Sequence, residues 1–246
     1  MGDELNFIEP RWAAPGNVRA LFTTRAGGFS VGSFKGLNLS LRVGDVPQSV
    51  VQNRGKLDAH LPSTPKWVKQ VHGAHICDAE SSDEQSEADG IVTSTPNIVC
   101  GIMTADCLAI LMCDSLGQRV AAIHAGWRGL HRGILERAVR HFDDLESDIY
   151  AVIGPSISQK HYEVDHDFFE RFVQKNAQYE RCFLQSREKK YFANLQEIAS
   201  IQLAEYGVKD VANTNLCTYT HSDRFYSHRR EQPTGRTGAL IWLSHS

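Results

Sequence analysis

Asp106-Cys107-Leu108-Ala109-Ile110-Leu111-Met112-Cys113, then Asp114-Ser115-Leu116-Gly117, then Gln118-Arg119-Val120-Ala121-Ala122-Ile123-His124 is the stretch whose reading decides the fold. Two apolar runs flank a four-residue turn with Asp first and Gly last, the signature of a type I turn in a β-hairpin. With Asp114 to Gly117 as the loop, Cys113 faces Gln118, and counting back sets Cys107 opposite His124. Directly opposed residues share one face of a sheet, with Cβ atoms roughly 4.5–5.5 Å apart. That separation suits a shared zinc ion, with bonds of about 2.3 Å to sulfur and about 2.1 Å to nitrogen. It suits a thiol–imidazole pair as well. A slip of one residue would undo the pairing. A cysteine alone in an apolar strand is ordinarily a small core residue; Cys100 and Cys113 are read that way, and the opposed histidine sets Cys107 apart.

His72 is the candidate third ligand. It ends an alternating run, Trp67-Val68-Lys69-Gln70-Val71-His72, expected to be a strand, and it precedes Gly73. His75, three residues on, faces the other way on an extended segment and is read as surface. Three protein ligands leave one position open, which makes such a site catalytic rather than structural. A water in that position would be made acidic by the metal.

Outward from the hairpin, strands are expected at Ala20–Thr24, Ile91–Thr93, Asn97–Thr104, Ile149–Ile153 and Ala239–Leu243. Helical spacing runs from Leu130 through Ile134, Leu135, Ala138, Val139 and Phe142, and helices are expected over Asp165–Gln174 and Asn194–Tyr206. Asn194 with Glu197 forms a capping-box pattern, and Gly207 is a stop. Ser81–Gly90 and Gln185–Lys190 are polar and read as surface loops. No strict βαβ rhythm or repeat appears. The expectation is one α+β domain, residues 1–246, of mixed sheets with flanking helices.

The chain has 246 residues, 41% hydrophobic and 22% charged, with a formal net charge of −3. This fits a folded domain rather than a disordered chain, and gives no overall basic footprint for nucleic acid. No apolar run is long enough to span a membrane, and the acidic N-terminus does not resemble a secretory signal. The six cysteines form no C-x-x-C pair, so a reducing, cytoplasmic location is expected. Oligomeric state is not legible.

Arginines gather in glycine-bearing loops. Arg25 precedes Gly27-Gly28, Arg128 lies in Gly126-Trp127-Arg128-Gly129 before a helix, and Arg229 and Arg236 flank the last loop. Each alone reads as a solvated charge. Together they point to an anionic substrate or co-substrate held bidentately. Gly126 and Gly129 read equally as turn glycines.

At Thr23–Gly28, Leu37-Asn38-Leu39, Asn53-Arg54, Gln70–Gly73, Ala88-Asp89-Gly90, Thr104–Cys107, His124–Gly129, Ile153–Ile157, Cys217-Thr218 and Phe225–Leu243, the sequence resembles the laccase-domain family of purine nucleoside phosphorylases, formerly described as polyphenol oxidases. That family includes the bacterial peptidoglycan editing factor. The resemblance covers nearly the whole chain. It implies an α+β fold shared with certain Cys–His toxin deamidases. It implies zinc, or copper, at His72, Cys107 and His124. It also implies phosphorolysis of adenosine, inosine and S-methyl-5′-thioadenosine, with adenosine deamination. Cys107 and Arg25 are then the catalytic candidates, Arg128, Arg229 and Arg236 the phosphate candidates, and Asp106 or a thiol the candidate proton shuttle. Two departures from the family's usual pattern, His228 in place of an aromatic and the Thr218–His221 stretch, bear on base or ribose specificity.

Four other readings stand beside this one. A metal-free hydrolase would use Cys107 as nucleophile and His124 as base. A copper-dependent polyphenol oxidase would use the same ligands, although the chain has no His-x-His pair. A peptidoglycan-precursor editing hydrolase would remove a misincorporated amino acid from a UDP-MurNAc precursor. A non-enzymatic binding module would turn over no nucleoside.

Overall fold

The computed structural model describes residues 4–245. Its strands are β1 (Phe7–Ile8), β2 (Val18–Thr23), β3 (Ile76–Asp78), β4 (Gly90–Thr93), β5 (Cys100–Thr104), β6 (Leu108–Asp114), β7 (Val120–Ala125), β8 (Ile149–Ile153), β9 (Glu163–Asp165), β10 (Phe183–Arg187), β11 (Lys190–Ala193), β12 (Asp210–Asn213) and β13 (Thr237–Leu243). Its α-helices are α1 (Pro47–Asp58), α2 (Trp127–His131), α3 (Ile134–Arg140), α4 (His166–Lys175) and α5 (Leu195–Glu205). Three sheets form, in the orders β12-β8-β6-β7-β4-β3, β1-β2-β13-β5 and β10-β11-β9. The six-stranded sheet is mixed: β12–β8 and β3–β4 are parallel, the other pairs antiparallel. This is the expected α+β class.

The layers explain why β6 is apolar at every position. Leu108, Ile110 and Met112 pack with Ile134, Leu135, Ile198 and Leu203 of α3 and α5. Their alternates Ala109, Leu111 and Cys113 pack with Phe22, Ile102, Ala239 and Ile241 of the four-stranded sheet. A strand buried on both faces reads as a continuous hydrophobic run. Beyond the smaller sheet, Leu21 and Leu240 meet Leu57 of α1, Leu37, Leu39 and Trp67. Cys100 and Cys113 are fully buried core residues, as expected.

The hairpin departs from its expected register. Ala109, not Cys107, pairs with His124, and Cys113 pairs with Val120. The cause is the Asp114 side chain, which accepts from the backbone N–H groups of Leu116, Gln118 and Arg119. Those bonds make Asp114 the last ladder residue, bonded to Arg119, and leave Ser115–Gln118 as the loop. The shift is two residues, so every side chain keeps its face. Cys107 and His124 are therefore diagonal neighbours rather than opposed.

Other expectations are corrected by local chemistry. The helical run from Leu130 is two helices, broken at Gly133, whose φ is +80°. Trp67–His72 joins no ladder; only isolated bridges at Lys66 and Lys69 form. Gln185–Lys190 is not a loop but most of the β10–β11 hairpin, with Lys189 in the left-handed region at its turn. Asn194 caps α5 through Glu197 N–H, yet its own N–H goes to Cys182, so the capping box is half formed. Helix α1 lacks a strong apolar period. Its buried Asn53 instead bonds Phe29, Ser30, Gly36 and Asn38, and Pro stands in its first turn.

Candidate metal centre

His72, Cys107 and His124 converge, with one candidate ligand atom from each lying within 4.8 Å of the others. The resemblance named these three, and the tertiary structure shows how they meet. His124 is buried on β7, on the side facing the four-stranded sheet. Cys107 lies just before β6, beyond the Leu108–Ala125 pair, so the same register carries it to Gly126. A Cβ on Gly126 would stand 3.1 Å from the Cys107 sulfur, 3.4 Å from His72 Cδ2 and 3.6 Å from His124 Nε2. The bare glycine keeps the space between the three side chains open. The rings of His72 and His124 meet edge to face at 4.8 Å.

Asp89 organises the group. Its carboxylate bonds His124 Nδ1 at 2.7 Å, leaving Nε2 for a ligand. The same carboxylate accepts from the backbone N–H groups of Val71, His72 and Gly73. His72 is held at φ +56°, a conformation costly for a residue with a side chain. Asp89 is completely buried. The Ala88-Asp89-Gly90 motif was legible in the sequence, but it sat in a stretch read as a surface loop. Its acid within an otherwise small-residue motif at the start of a strand was the signal available.

Burial alone would raise the Cys107 thiol, but the neighbouring charge and hydrogen bonds of His124, then His72, outweigh it and bring it to about 6. Burial would lower His124; Cys107 and then Asp89 hold it up at about 9. Burial would raise Asp89, and the His124 ring and the loop amides bring it below the usual carboxylate range. Each group thus favours the charged form of the other, and a bound metal ion would take the place of the proton between them. A deprotonatable thiol, two imidazoles, an ordered carboxylate behind one of them and no side chain at position 126 make a donor set that fits zinc.

His72, Cys107 and His124 line a cavity of about 340 Å³ with Ser40, Arg42, Arg54, Gln70, Glu84, His228 and Arg236, among others. Arg54 and Glu84 form a two-pronged ion pair, with N–O distances of 3.0 and 2.8 Å. Arg42 bonds the Glu84 carbonyl. Arg236 bonds the Thr234 and Gly235 carbonyls through Nη1. Burial weakens its hold on its proton, while Cys107 and Asp106 strengthen it. Both ends of the Gln70 amide are spent on the Met103 backbone.

Of the expected arginines, only Arg236 lines this cavity. Arg25, expected as catalytic, donates to the carbonyls of Lys35 and Ser222 and lies 4.6 Å from the Tyr226 ring. It anchors a loop. Arg128 stacks on Trp127 and Arg229 on Tyr162, outside the cavity lining. Asp106, a candidate proton shuttle, is bound by Thr218, Ser227 and the Arg229 N–H, which ties the C-terminal loops to the Cys107 backbone. Nothing in the local sequence of Ser40, Arg42 or Arg54 distinguishes them from surface residues, although Arg54 belongs to the Asn53-Arg54 motif.

The family model described as multi-copper polyphenol oxidoreductase laccase matches residues 19–244. The purine nucleoside phosphorylase YfiH of Escherichia coli K12 is 41% identical over 239 residues, covering 96% of this chain and 98% of that protein. A protein named purine nucleoside phosphorylase from Haemophilus influenzae is 39% identical over 240 residues, covering 96% of this chain and 98% of its own length. Among solved structures, a Neisseria meningitidis protein superposes with a TM-score of 0.93 at 37% identity, over 98% of this chain and all of that one. With the match running almost end to end, the chain belongs to the multi-copper polyphenol oxidoreductase laccase family.

Proposed function

We propose that the chain is a zinc-dependent purine nucleoside phosphorylase that cleaves adenosine, inosine and S-methyl-5′-thioadenosine, and that it also deaminates adenosine. The observation that carries this reading is the cavity: a thiol and two imidazoles at one end, and Arg42, Arg54, Arg236 and His228 around the rest of it. A pocket of roughly 300–1,000 Å³ suits a small-molecule ligand. The names of the relatives supply the substrate class.

His72, Cys107 and His124 would hold the metal, which when bound would supply a Lewis acid. The protein's own groups do the rest. Asp89 fixes the His124 tautomer and the His72 backbone, so both ligands are preorganised. Arg236 has only Nη1 committed to protein carbonyls. It is the arginine placed to neutralise phosphate as the phosphate oxygen bonds the ribose carbon and the purine leaves. The Arg54–Glu84 pair holds a second arginine in position on the cavity wall.

Incubation with inosine and inorganic phosphate, following ribose 1-phosphate and hypoxanthine, tests the reading. The expected result is phosphate-dependent cleavage, strongly reduced by Cys107→Ala. Turnover unchanged by that substitution removes the site assignment. The closeness of Cys107 to His124, with the Asp89 carboxylate behind the ring, favours a second reading, a metal-free hydrolase with Cys107 as nucleophile. Full activity after metal depletion would establish it instead. Metal analysis of protein purified without added metal decides between zinc and the copper of the family description.

A further inference from the structure

Five cations lie outside the cavity lining: Arg128 and Arg132 at α2, Arg171 and Lys175 of α4 beside His131, and Arg229 beside Tyr162. Arg132 donates to the carbonyl of the metal-ligand candidate His72 at 3.2 Å. Arg128 lies one helical turn earlier, on the same side of the helix. Its guanidinium sits 4.6 Å from the Trp127 ring, and that of Arg229 sits 4.9 Å from the Tyr162 ring. Trp127 and Tyr162 both pack on Phe168. Burial pushes the Tyr162 phenol up, and Cys107, Arg229 and Arg128 are all near enough for their charges to act on it. Lys175 reaches the His131 carbonyl, and burial with the charges of Lys175, Arg171 and Arg132 holds His131 below its usual value. None of the five cations joins an ion pair among the described residues.

We infer that this arginine face, beside the metal ligands, binds the phosphate groups of a phosphorylated small molecule, so that nucleoside phosphates as well as nucleosides are ligands of the site. The nucleoside half of this inference rests on the function proposed above. Two arguments carry the phosphate half. The Arg128 guanidinium, beside the Trp127 ring, makes no hydrogen bond among the described residues, and Arg229 beside Tyr162 spends only Nη1, on the Glu163 carbonyl, so both keep N–H groups of the kind that pair with phosphate. Unpaired positive charge concentrated on one face of a chain of net charge −3 also calls for an external anion. A small ligand is favoured over a nucleic acid because the cations cluster beside one site and form no extended track.

Calorimetric titration of the zinc-loaded protein with ADP, adenosine and pyrophosphate tests this, in the wild type and in Arg128→Ala/Arg229→Ala. ADP should bind about tenfold or more tightly than adenosine, and each arginine removed should cost ADP about tenfold. Pyrophosphate should bind the wild type and be lost in the double variant. ADP binding no tighter than adenosine together with no pyrophosphate binding overturns the inference. So does pyrophosphate binding indifferent to both substitutions, or a twenty-nucleotide single strand that outcompetes ADP on the same residues. Circular dichroism and zinc content confirm that the variant is folded and loaded; Arg128→Lys/Arg229→Lys, which keeps the charge, should recover part of the ADP affinity. The pyrophosphate arm involves no nucleoside, so an absence of inosine cleavage sinks the proposed function without deciding this one.

Discussion

Asp89 and His124 are joined twice: the Asp89 carboxylate bonds the His124 ring nitrogen Nδ1 at 2.7 Å, and the Asp89 carbonyl accepts the His124 backbone N–H at 2.7 Å. One residue thus sets both the position and the tautomer of the buried ligand candidate, while its remaining lone pairs hold the loop that carries His72. Asp89→Asn keeps the shape but presents an amide donor among groups that already donate. Zinc affinity should fall about 10–100-fold, read by competition with a chromophoric chelator. Wild-type zinc affinity in this variant would show that Asp89 has no part in the site.

Gly126→Ala tests the space between the ligands. Gly126 has φ −64°, so alanine there carries no backbone strain. Its Cβ would press on the Cys107 sulfur at 3.1 Å. Zinc content and inosine turnover should drop while the melting temperature moves by only a few degrees, about what 1 kcal/mol or less produces. Full zinc occupancy at normal turnover would mean that the ligands do not use this space.

Arg25→Ala separates a structural arginine from a catalytic one. Its hydrogen bonds to Lys35 and Ser222 carbonyls, with its stacking on Tyr226, should make the loss cost about 1–3 kcal/mol of stability. The kcat of the folded variant should stay within about twofold of the wild type, a small change on the transition-state scale. A large loss of kcat without loss of stability would restore the catalytic role expected from the sequence.

Glu84 gives the cavity wall an acid-side dependence. The hydrogen bond from Arg54, then the charges of Arg54 and Arg42 against the opposing effect of burial, hold its carboxyl below the usual value of 4.5. A lowered folded-state value contributes stability that is fully present above the unfolded value and is lost as pH falls through the folded one. Thermal melts between pH 7 and pH 3 should therefore converge for the wild type and Glu84→Gln at the acid end and separate at neutral pH. A constant offset across that range would show that the ion pair is not the source.

Much of the fold was legible because its elements are locally encoded. The β6 and β7 runs, β8, β13, the α4 helix and the Asn194 cap of α5 all follow from residue type and spacing. The hairpin register was not, because it depended on a buried side chain, Asp114, taking three amides that a loop-length argument leaves free. The β10–β11 hairpin was hidden by its charged residues, and α1 by a polar residue in its buried face.

The sequence by itself determined that Cys107 and His124 share a face, since that depends only on the two-residue period of strands, which a shift of two preserves. Only the tertiary structure decided which groups complete the site. Asp89 reaches His124 across the β4–β7 pairing, and Arg42 and Arg236 from distant loops meet Arg54 of α1 at one cavity. Arg25, of the same residue type in the same kind of loop, turns instead to backbone carbonyls. Residue type limits which bonds a side chain is able to make; the packing of remote segments selects which of them it makes.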